Sequence, residues 1–510
     1  MAQLSDRPFP PGDYPVVVVG SGPGGLQASY SLRSLGVPHA LLSADPAPGG
    51  MFRHWPFFQR LLSWTKPFAP EPRGTRAYER YDWNSLIPDE DAHRSIQAEL
   101  MDGSISYFPS RPEMEASIAA FAARTELAVR YGCRWESTRR LDDGRFELTT
   151  SDGVYTATTL TMAVGVAQPW QPETPGMELA AHYAQTRPVE TYADQRVFII
   201  GKQNSGFELA SGLLSWARRI VIASPSPTKL SVNTHSLVGI RARYLQPYED
   251  HVLGGGVGVL DASIEAIERA PDGSGLVVRT RPSSGGPPEA FETDEVIAAT
   301  GFTAPLQDLP ALGVATFGQS RLPAQTANWE SATVPGIFFA GTIGQGAKGL
   351  QKHGMPANSG AVQGARYNAR SLAAHIARTR FGIETPRPAI AGSELLEFVA
   401  DELSRGPEIW HQRAYLARIV TLDPTAGIRD EGIGPLATFV DEAGPDALAI
   451  TLESDGSASV YPVLYSRVGG SLTEHRLDPH PLLDYGTESA RADIDAVLAR
   501  FGAGARSTGG

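Results

Sequence analysis

The residues best suited to chemistry are three glycines in the spacing Gly20-x-Gly22-x-x-Gly25, directly after an apolar run at 16–19. A glycine at the first position permits a tight turn, one at the second lets the backbone approach a pyrophosphate, and one at the third allows close helix–strand packing. A helix that begins at such a turn points free N–H groups at the phosphates. The segment therefore predicts a dinucleotide site formed by a strand, a turn and a helix.

A second segment repeats this pattern with one change at its centre. It follows an apolar run at 197–200 and reads Gly201-x-Gln203-x-x-Gly206. A glutamine adds bulk where the pyrophosphate would come closest, although its amide could donate a hydrogen bond. An arginine that reads a 2′-phosphate is expected shortly after the next strand, and Pro225 stands there instead. Two interpretations stay open: a working nicotinamide-nucleotide site, and a vestigial nucleotide fold kept for packing.

The adenosine ribose of a bound dinucleotide is usually held by an acid at the end of the second strand. Counting from Gly20 places Ser43 at that position, and Asp45 follows two residues later. A serine is a weaker acceptor than a carboxylate, so either Asp45 substitutes for the usual acid or the ribose is held more loosely. The alternative for Asp45 is a simple turn residue before Pro46.

Apolar periodicity and turn residues predict the elements that position these glycines. Strands are expected at 16–19 and 39–42 around a helix from about Gly24 to Gly36, and a second strand–helix–strand unit at 196–223. Residues 112–124 have the spacing of an amphipathic helix.

Further strand-and-glycine segments end at Gly165, Gly301 and Gly341, and a helix follows the last of them. The composition changes after Pro386, and the rest of the chain reads as an α+β appendage.

Composition limits the classes of function. A chain of 510 residues needs more than one domain, and its net charge of −12 argues against a nucleic-acid partner. Cys133 is the single cysteine, which excludes an internal disulfide, a redox dithiol and a cysteine metal cage. The histidines lack metal-ligand spacing, so no metal site is expected. With no signal peptide or membrane-length apolar run visible, we expect a soluble cytoplasmic protein.

With these segments in order, the chain resembles the flavoproteins with two dinucleotide-binding domains, which include the flavin-containing monooxygenases. It resembles the FAD-dependent oxidoreductase domain-containing proteins more closely. The resemblance spans about residues 15–380. Besides the first glycine segment, it rests on residues 48–52, 60–66, 82–86, 108–110, 204–208, 234–235 and 364–367.

The resemblance implies an α/β fold with two Rossmann-like domains and the C-terminal α+β appendage. The predicted boundaries are 1–165 and 301–385 for the two parts of a FAD-binding domain, 166–300 for an inserted NAD(P)-type domain, and 386–510 for the appendage. It also implies FAD as cofactor, with NADPH or NADH as the electron donor. The expected activity is oxygenation of a small organic substrate by molecular oxygen, in secondary metabolism.

The resemblance also suggests site residues. Thr65 occupies the place of an asparagine that lies beside the flavin in related monooxygenases, and Asn204 and His353 complete the set expected to be catalytic. The residues expected to bind the cofactors are Gly20, Gly22, Gly25, Ser43, Asp45, Gly50, Gly165, Gly201, Gln203, Ser205, Gly206, Gly301 and Gly341.

Two other functions stay open on the sequence. The changed second segment is compatible with a FAD oxidase or dehydrogenase that is reduced by its own substrate. The appendage is compatible with a binding protein that holds FAD without catalysis. The Baeyer–Villiger fingerprint is absent, since Gly176 and His182 lack the aromatic residues that should flank them.

Overall fold

A computed structural model describes most of the chain, and its close contacts divide the chain into two compact units. The first unit draws on residues 1–50, 63–165 and 305–510, and the second on residues 51–62 and 166–304. The residues described are 7–55, 61, 64–88, 108–231, 240, 244, 256–350, 357–423, 425–454 and 459–507.

The first unit begins with the strand–helix–strand motif that the first glycine segment predicts. β1 (Gly12–Val19) pairs in parallel with β2 (His39–Leu42), and α1 (Pro23–Ser34) connects them. Residues 16–18 of β1 are fully buried, as expected of a parallel strand covered on both faces. The helix ends two residues before Gly36, which adopts the left-handed φ of +73° just after the last turn.

The two strands of this motif belong to a six-stranded sheet. Its order is β2, β1, β5 (Gly153–Met162), β4 (Phe146–Thr150) and β3 (Trp135–Arg140), and a later strand, β17 (Ile337–Phe339), pairs in parallel with β5. The elements that follow β2 are α2 (Met51–His54, in the second unit), α3 (Arg111–Arg124), β3 (Trp135–Arg140), β4 (Phe146–Thr150) and β5 (Gly153–Met162). The start of α3 is fixed by a capping box between Ser110 and Glu113.

The second unit contains a seven-stranded sheet with the order β12-β11-β10-β9-β8-β13-β7. The second glycine segment lies between β8 and the helix α4, as the sequence predicts. The elements are β6 (Gln168–Pro169), β7 (Ala181–His182), β8 (Arg196–Ile200), α4 (Asn204–Leu213), β9 (Arg219–Ser224), β10 (Val257–Arg269), β11 (Leu276–Pro282), β12 (Glu289–Thr293), β13 (Glu295–Ala298) and β14 (Phe302–Thr303).

The chain then returns to the first unit. After β15 (Thr316–Phe317) and β16 (Leu322–Pro323), β17 (Ile337–Phe339) joins the six-stranded sheet. The long helix α5 (Val362–Phe381) follows and packs against α1.

The C-terminal appendage is an α+β structure with its own antiparallel sheet, in the order β19-β18-β20-β21-β22. Its elements are α6 (Leu395–Arg405), α7 (Pro407–His411), β18 (Leu416–Asp423), β19 (Gly427–Pro435), α8 (Leu436–Asp441), β20 (Ala447–Ser454), β21 (Val460–Val468), β22 (Ser471–Arg476) and α9 (Glu488–Ser507). None of the helices described here and above has the length and apolar character needed to cross a bilayer.

Buried ion pairs join the appendage to the rest of the first unit. The Arg76 guanidinium lies 2.7 Å from a carboxylate oxygen of Glu402 and 2.6 Å from one of Glu408. Both glutamates are nearly inaccessible to solvent. These ion pairs agree with the grouping of the appendage with the first unit. The four predicted domain boundaries stay a prediction.

Candidate dinucleotide sites

The three glycines of the first segment differ in whether the packing around them requires a glycine. Gly20 adopts a φ of +113°, and a Cβ atom there would lie 2.5 Å from the carbonyl oxygen of Ala163. A Cβ on Gly25 would lie 1.8 Å from the carbonyl oxygen of Gly20. Gly22 differs, because its φ of −74° suits any residue and a Cβ there would meet only Gly50, at 3.7 Å. The fold thus requires glycine at 20 and 25, whereas nothing in the described protein requires it at 22.

Gly50 and Gly341, which are distant in the sequence, pack against the same glycine turn. A Cβ on Gly24 would lie 2.4 Å from the backbone nitrogen and Cα of Gly341, and a Cβ on Gly50 would lie 2.8 Å from the Cα of Gly22. Both Gly50 and Gly341 have positive φ, at +54° and +78°. Segments far apart in the chain therefore meet at the start of α1 and line it with backbone alone.

This cradle fits the pyrophosphate of the FAD that the resemblance implies. α1 begins at Gly22 without a side-chain cap and without an acidic residue in its first turn. Its first N–H groups and the positive end of its dipole are consequently left for an anion. Gly165 stands nearby in sequence to Ala163, and its φ of +70° likewise favours glycine.

Ser43 and Asp45 are placed differently from each other. The Ser43 hydroxyl is buried, lies 2.7 Å from the Ser21 hydroxyl and accepts a hydrogen bond from the Asp45 backbone N–H at 3.2 Å. Ser43 thus ties the glycine turn to the end of β2. Asp45 is only half-buried. Of the two, Asp45 is the stronger candidate for the ribose contact, which stays a prediction.

Thr65 belongs to a buried polar cluster. Its hydroxyl donates to Asp82 Oδ1 at 2.8 Å and accepts from Asn84 Nδ2 at 3.1 Å. The same carboxylate oxygen also accepts the backbone N–H groups of Asn84 and Ser85, each at 3.0 Å. Thr65 therefore fixes the conformation of the 82–86 segment, and a contact between Thr65 and the flavin stays a prediction.

The appendage contributes a side chain to this region that the sequence did not indicate. The His411 ring lies edge-on to Trp83, with centroids 5.2 Å apart, and stacks on Tyr367 at 5.6 Å. Burial, reinforced by the Arg366 charge, lowers the pKa of His411 well below its usual value. A neutral imidazole from the appendage thus packs against the 82–86 segment.

The second glycine segment repeats the geometry of the first. Gly201 has a φ of +116°, and a Cβ there would lie 2.3 Å from the carbonyl oxygen of Ala299. A Cβ on Gly206 would lie 2.1 Å from the carbonyl oxygen of Gly201. Gln203 is the N-cap of α4, with an ordinary φ of −106°, and its side chain is exposed. The glutamine therefore leaves the turn undistorted.

Asn204 and Ser205 are the first two residues of α4 and are both half-buried. Gly301, with a φ of +96°, follows β13, and its carbonyl oxygen lies 3.0 Å from His182 Nε2. His353 lies outside the described residues, as do His235 and the aromatic pair Phe57 and Phe58.

An ion pair that the sequence did not predict lies beside the second glycine turn. The Lys202 ammonium, fully buried within the glycine turn, pairs with the Asp261 carboxylate on β10. Asp261 lies opposite Ser224, the last residue of β9, in the parallel register. The carboxyl end of β9 is where the ribose acid of such a fold normally stands. The neighbouring strand therefore supplies a carboxylate where Ser224 offers none.

Known proteins are similar to this chain over much of its length. FAD-dependent oxidoreductase domain-containing protein 2 of Danio rerio is 32% identical over 266 residues, covering 50% of this chain and 37% of the relative. Its Mus musculus counterpart is 26% identical over 439 residues, covering 80% and 64%. This chain thus spans less than two thirds of the length of either relative.

Two monooxygenases are also similar. Indole-3-pyruvate monooxygenase YUCCA1 of Oryza sativa subsp. japonica is 27% identical over 212 residues, covering 39% of this chain and 44% of that protein. A flavin-containing monooxygenase structure from Stenotrophomonas maltophilia superposes with a TM-score of 0.53 at 22% identity, over 71% of this chain and 98% of that one. At this identity, the second likeness is one of fold, and it agrees with the predicted α/β fold.

The family described as pyridine nucleotide-disulphide oxidoreductase matches residues 17–341. The match begins at the first glycine segment, includes the second and ends at Gly341, whose backbone contacts Gly24. Because it covers more than half of the 510 residues, the chain belongs to the pyridine nucleotide-disulphide oxidoreductase family.

Proposed function

We propose that this protein is a FAD-dependent monooxygenase that takes electrons from NADH or NADPH and oxygenates a small organic substrate. Family membership agrees with FAD and a pyridine nucleotide as the cofactors, as the sequence predicts. The similarity to a protein named as an indole-3-pyruvate monooxygenase supports oxygenation. A role in secondary metabolism is part of the proposal and rests on resemblance.

The observation that carries the proposal is the repeated geometry of the two glycine turns. In each turn, the last glycine lies against the carbonyl oxygen of the first, as Gly25 does with Gly20 and Gly206 with Gly201. This packing sets the N-terminus of a helix directly over the end of a strand, which is the arrangement that binds a pyrophosphate. The undistorted turn at Gln203 and the exposure of its side chain are compatible with a nucleotide there.

When bound, the FAD supplies the two-electron chemistry that couples the nucleotide to oxygen. In the overall reaction, one oxygen atom enters the substrate, the other leaves as water, and NAD(P)H is oxidised. The protein's contributions are binding and orientation. The backbone at Gly22, Gly50 and Gly341 would hold the FAD pyrophosphate, and the Thr65–Asp82 hydrogen bond would keep the 82–86 segment rigid.

Thiol–disulfide exchange, named in the family's description, does not fit this chain. Cys133 is the single cysteine, it is buried, and burial raises the pKa of its thiol. A redox dithiol needs two cysteines and a reactive thiolate. We therefore assign the reducing equivalents to a small-molecule reaction.

Anaerobic mixing of the purified FAD-bound protein with NADH and, separately, NADPH tests the proposal. Loss of the visible flavin absorbance with one of them, followed by oxygen consumption when air is admitted, is the expected result. Absence of bleaching with both nucleotides, together with bleaching by an organic substrate, would establish the oxidase or dehydrogenase alternative instead. A flavin that no reductant of either class bleaches would favour a binding protein.

A further inference from the structure

Two arginines of the first unit lie against the same tryptophan. The guanidinium carbon of Arg80 is 4.4 Å from the centroid of the Trp410 ring, and that of Arg413 is 4.8 Å from it. Trp410 belongs to α7 of the appendage, and Arg80 lies two residues before the 82–86 segment. Both guanidinium groups therefore lie within cation–π distance of one ring, and the charge of Arg80 acts on Arg413.

Among the residues that the structure describes, neither arginine has an acidic partner. Arg80 donates a side-chain hydrogen bond to the carbonyl oxygen of Ser404, at 2.7 Å. The Arg413 guanidinium makes no hydrogen bond or ion pair within the described part of the chain. The charge of Glu71 raises the pKa of Arg80, against the larger effect of burial, and the Glu71 carboxylate itself lies 3.1 Å from Arg405. Arg76, one turn away, shows the contrast, because it pairs with two glutamates.

The environment makes this pair of charges costly. Both side chains are half-buried. Burial lowers the pKa of both guanidinium groups, and the charge of Arg80 lowers that of Arg413 further. Like charges that are partly withdrawn from water repel each other more strongly than they do at a surface. An anion bound between them would replace this repulsion with charge-assisted hydrogen bonds.

We propose that Arg80 and Arg413 form a binding site for a small organic carboxylate. Each guanidinium offers a planar fork of N–H donors that matches the two oxygens of a carboxylate. Trp410 and Tyr81 place aromatic surface beside the charges, the Tyr81 ring lying 5.9 Å from both Arg80 and the Lys66 ammonium. A flat apolar body attached to the carboxylate would pack on these rings. The site does not depend on the proposed monooxygenase activity.

Isothermal titration calorimetry of the FAD-bound protein with benzoate tests the proposal, with acetate and inorganic phosphate as comparison anions. We expect saturable benzoate binding to the wild type and at least a tenfold weaker affinity in Arg413→Gln. Arg139→Gln is the matched control, because Arg139 is exposed and already paired with Glu147 on β4. Its benzoate affinity should stay at the wild-type value.

Stability measurements separate loss of the site from loss of the fold. Without added anion, Arg413→Gln should unfold at the wild-type urea concentration or above, because the substitution relieves repulsion. Arg80→Lys keeps the charge but loses the fork, and should also bind benzoate more weakly. Equal benzoate affinity in Arg413→Gln and wild type, no saturable binding by the wild type, or phosphate binding as tightly as benzoate would each overturn the proposal.

Discussion

Gly24 and Gly341 are in direct backbone contact: a Cβ atom on Gly24 would lie 2.4 Å from both the nitrogen and the Cα of Gly341. Gly24 lies in the first turn of α1, and Gly341 lies two residues after the end of β17, which pairs with β5. The contact brings the two parts of the expected FAD domain together at the cofactor cradle. At the same cradle, the packing of the chain requires glycine at positions 20 and 25, whereas at Gly22 only a bound ligand would require it.

Gly22→Ala should leave folding intact and weaken FAD binding. The φ of −74° at Gly22 suits alanine, and the new Cβ would stand 3.7 Å from Gly50, an ordinary contact. The methyl group would instead occupy the space of the pyrophosphate. We expect at least a tenfold weaker FAD affinity at an unchanged urea midpoint. Gly25→Ala is the matched comparison, because its Cβ would clash with the Gly20 carbonyl and should destabilise the apoprotein. Full FAD affinity in Gly22→Ala would contradict the assignment.

Asp261→Asn should shift the nucleotide preference toward NADPH. In the wild type, the Asp261 carboxylate beside Ser224 favours a ribose hydroxyl and repels a 2′-phosphate, so NADH should reduce the flavin faster. Removing the charge also releases Lys202 from its ion pair. We expect the ratio of the NADPH to the NADH reduction rate to rise by about tenfold, equivalent to about 1.4 kcal/mol. Asp272→Asn, on an exposed turn, should leave the ratio unchanged. An unaltered ratio in Asp261→Asn would assign the pair to packing.

In the wild type, the free energy of unfolding should fall as the pH rises toward neutral because of Glu208, and Glu208→Gln should remove this fall. Burial raises the pKa of Glu208 from 4.5 to about 7, although a 2.7 Å hydrogen bond from the Tyr183 hydroxyl opposes the shift. Between these values, the folded state keeps a proton that the unfolded state has released, so stability falls as the pH rises. Glutamine keeps an acceptor for Tyr183 without titrating.

Urea unfolding at several pH values between 5 and 8 measures this effect. Relative to the wild type, Glu208→Gln should gain stability with rising pH, by up to about 3 kcal/mol at pH 8. Glu289→Gln, at an exposed position on β12, is the control and should follow the wild type. A constant difference between Glu208→Gln and wild type across this range would show that Glu208 does not titrate as described.

Arg76→Met should destabilise the first unit by leaving two buried carboxylates without a counter-charge. Loss of one partner from a buried ion pair costs about 3 kcal/mol or more. The triple variant Arg76→Met, Glu402→Gln, Glu408→Gln removes all three charges and should recover much of this loss, as measured by urea unfolding. Arg405→Met, which breaks only exposed pairs, should stay within about 0.5 kcal/mol of the wild type. If the triple variant is no more stable than Arg76→Met, uncompensated charge is not the cause.

The amino-acid sequence alone determined the local motifs and the family. The spacing of Gly20, Gly22 and Gly25 after an apolar run defines a strand, a turn and a helix, because backbone conformation and close packing over a few residues depend on residues that are neighbours in the chain. The same reasoning located the second motif and its glutamine. Together with the family resemblance that they support, these local patterns predicted the fold class, which the relatives and the structure confirm.

Only the tertiary structure decided which distant residues meet. Lys202 reaches Asp261 on another strand, His411 packs on Trp83, and Arg80 contacts Trp410 of the appendage. No periodicity links such pairs, since their contact depends on strand order and on the docking of the appendage. The exposed orientation of Gln203 likewise follows from its place at the start of α4. The sequence identifies Gln203 at a position where glycine is usual. Its exposure to solvent depends on the packing around α4, which only the tertiary structure shows.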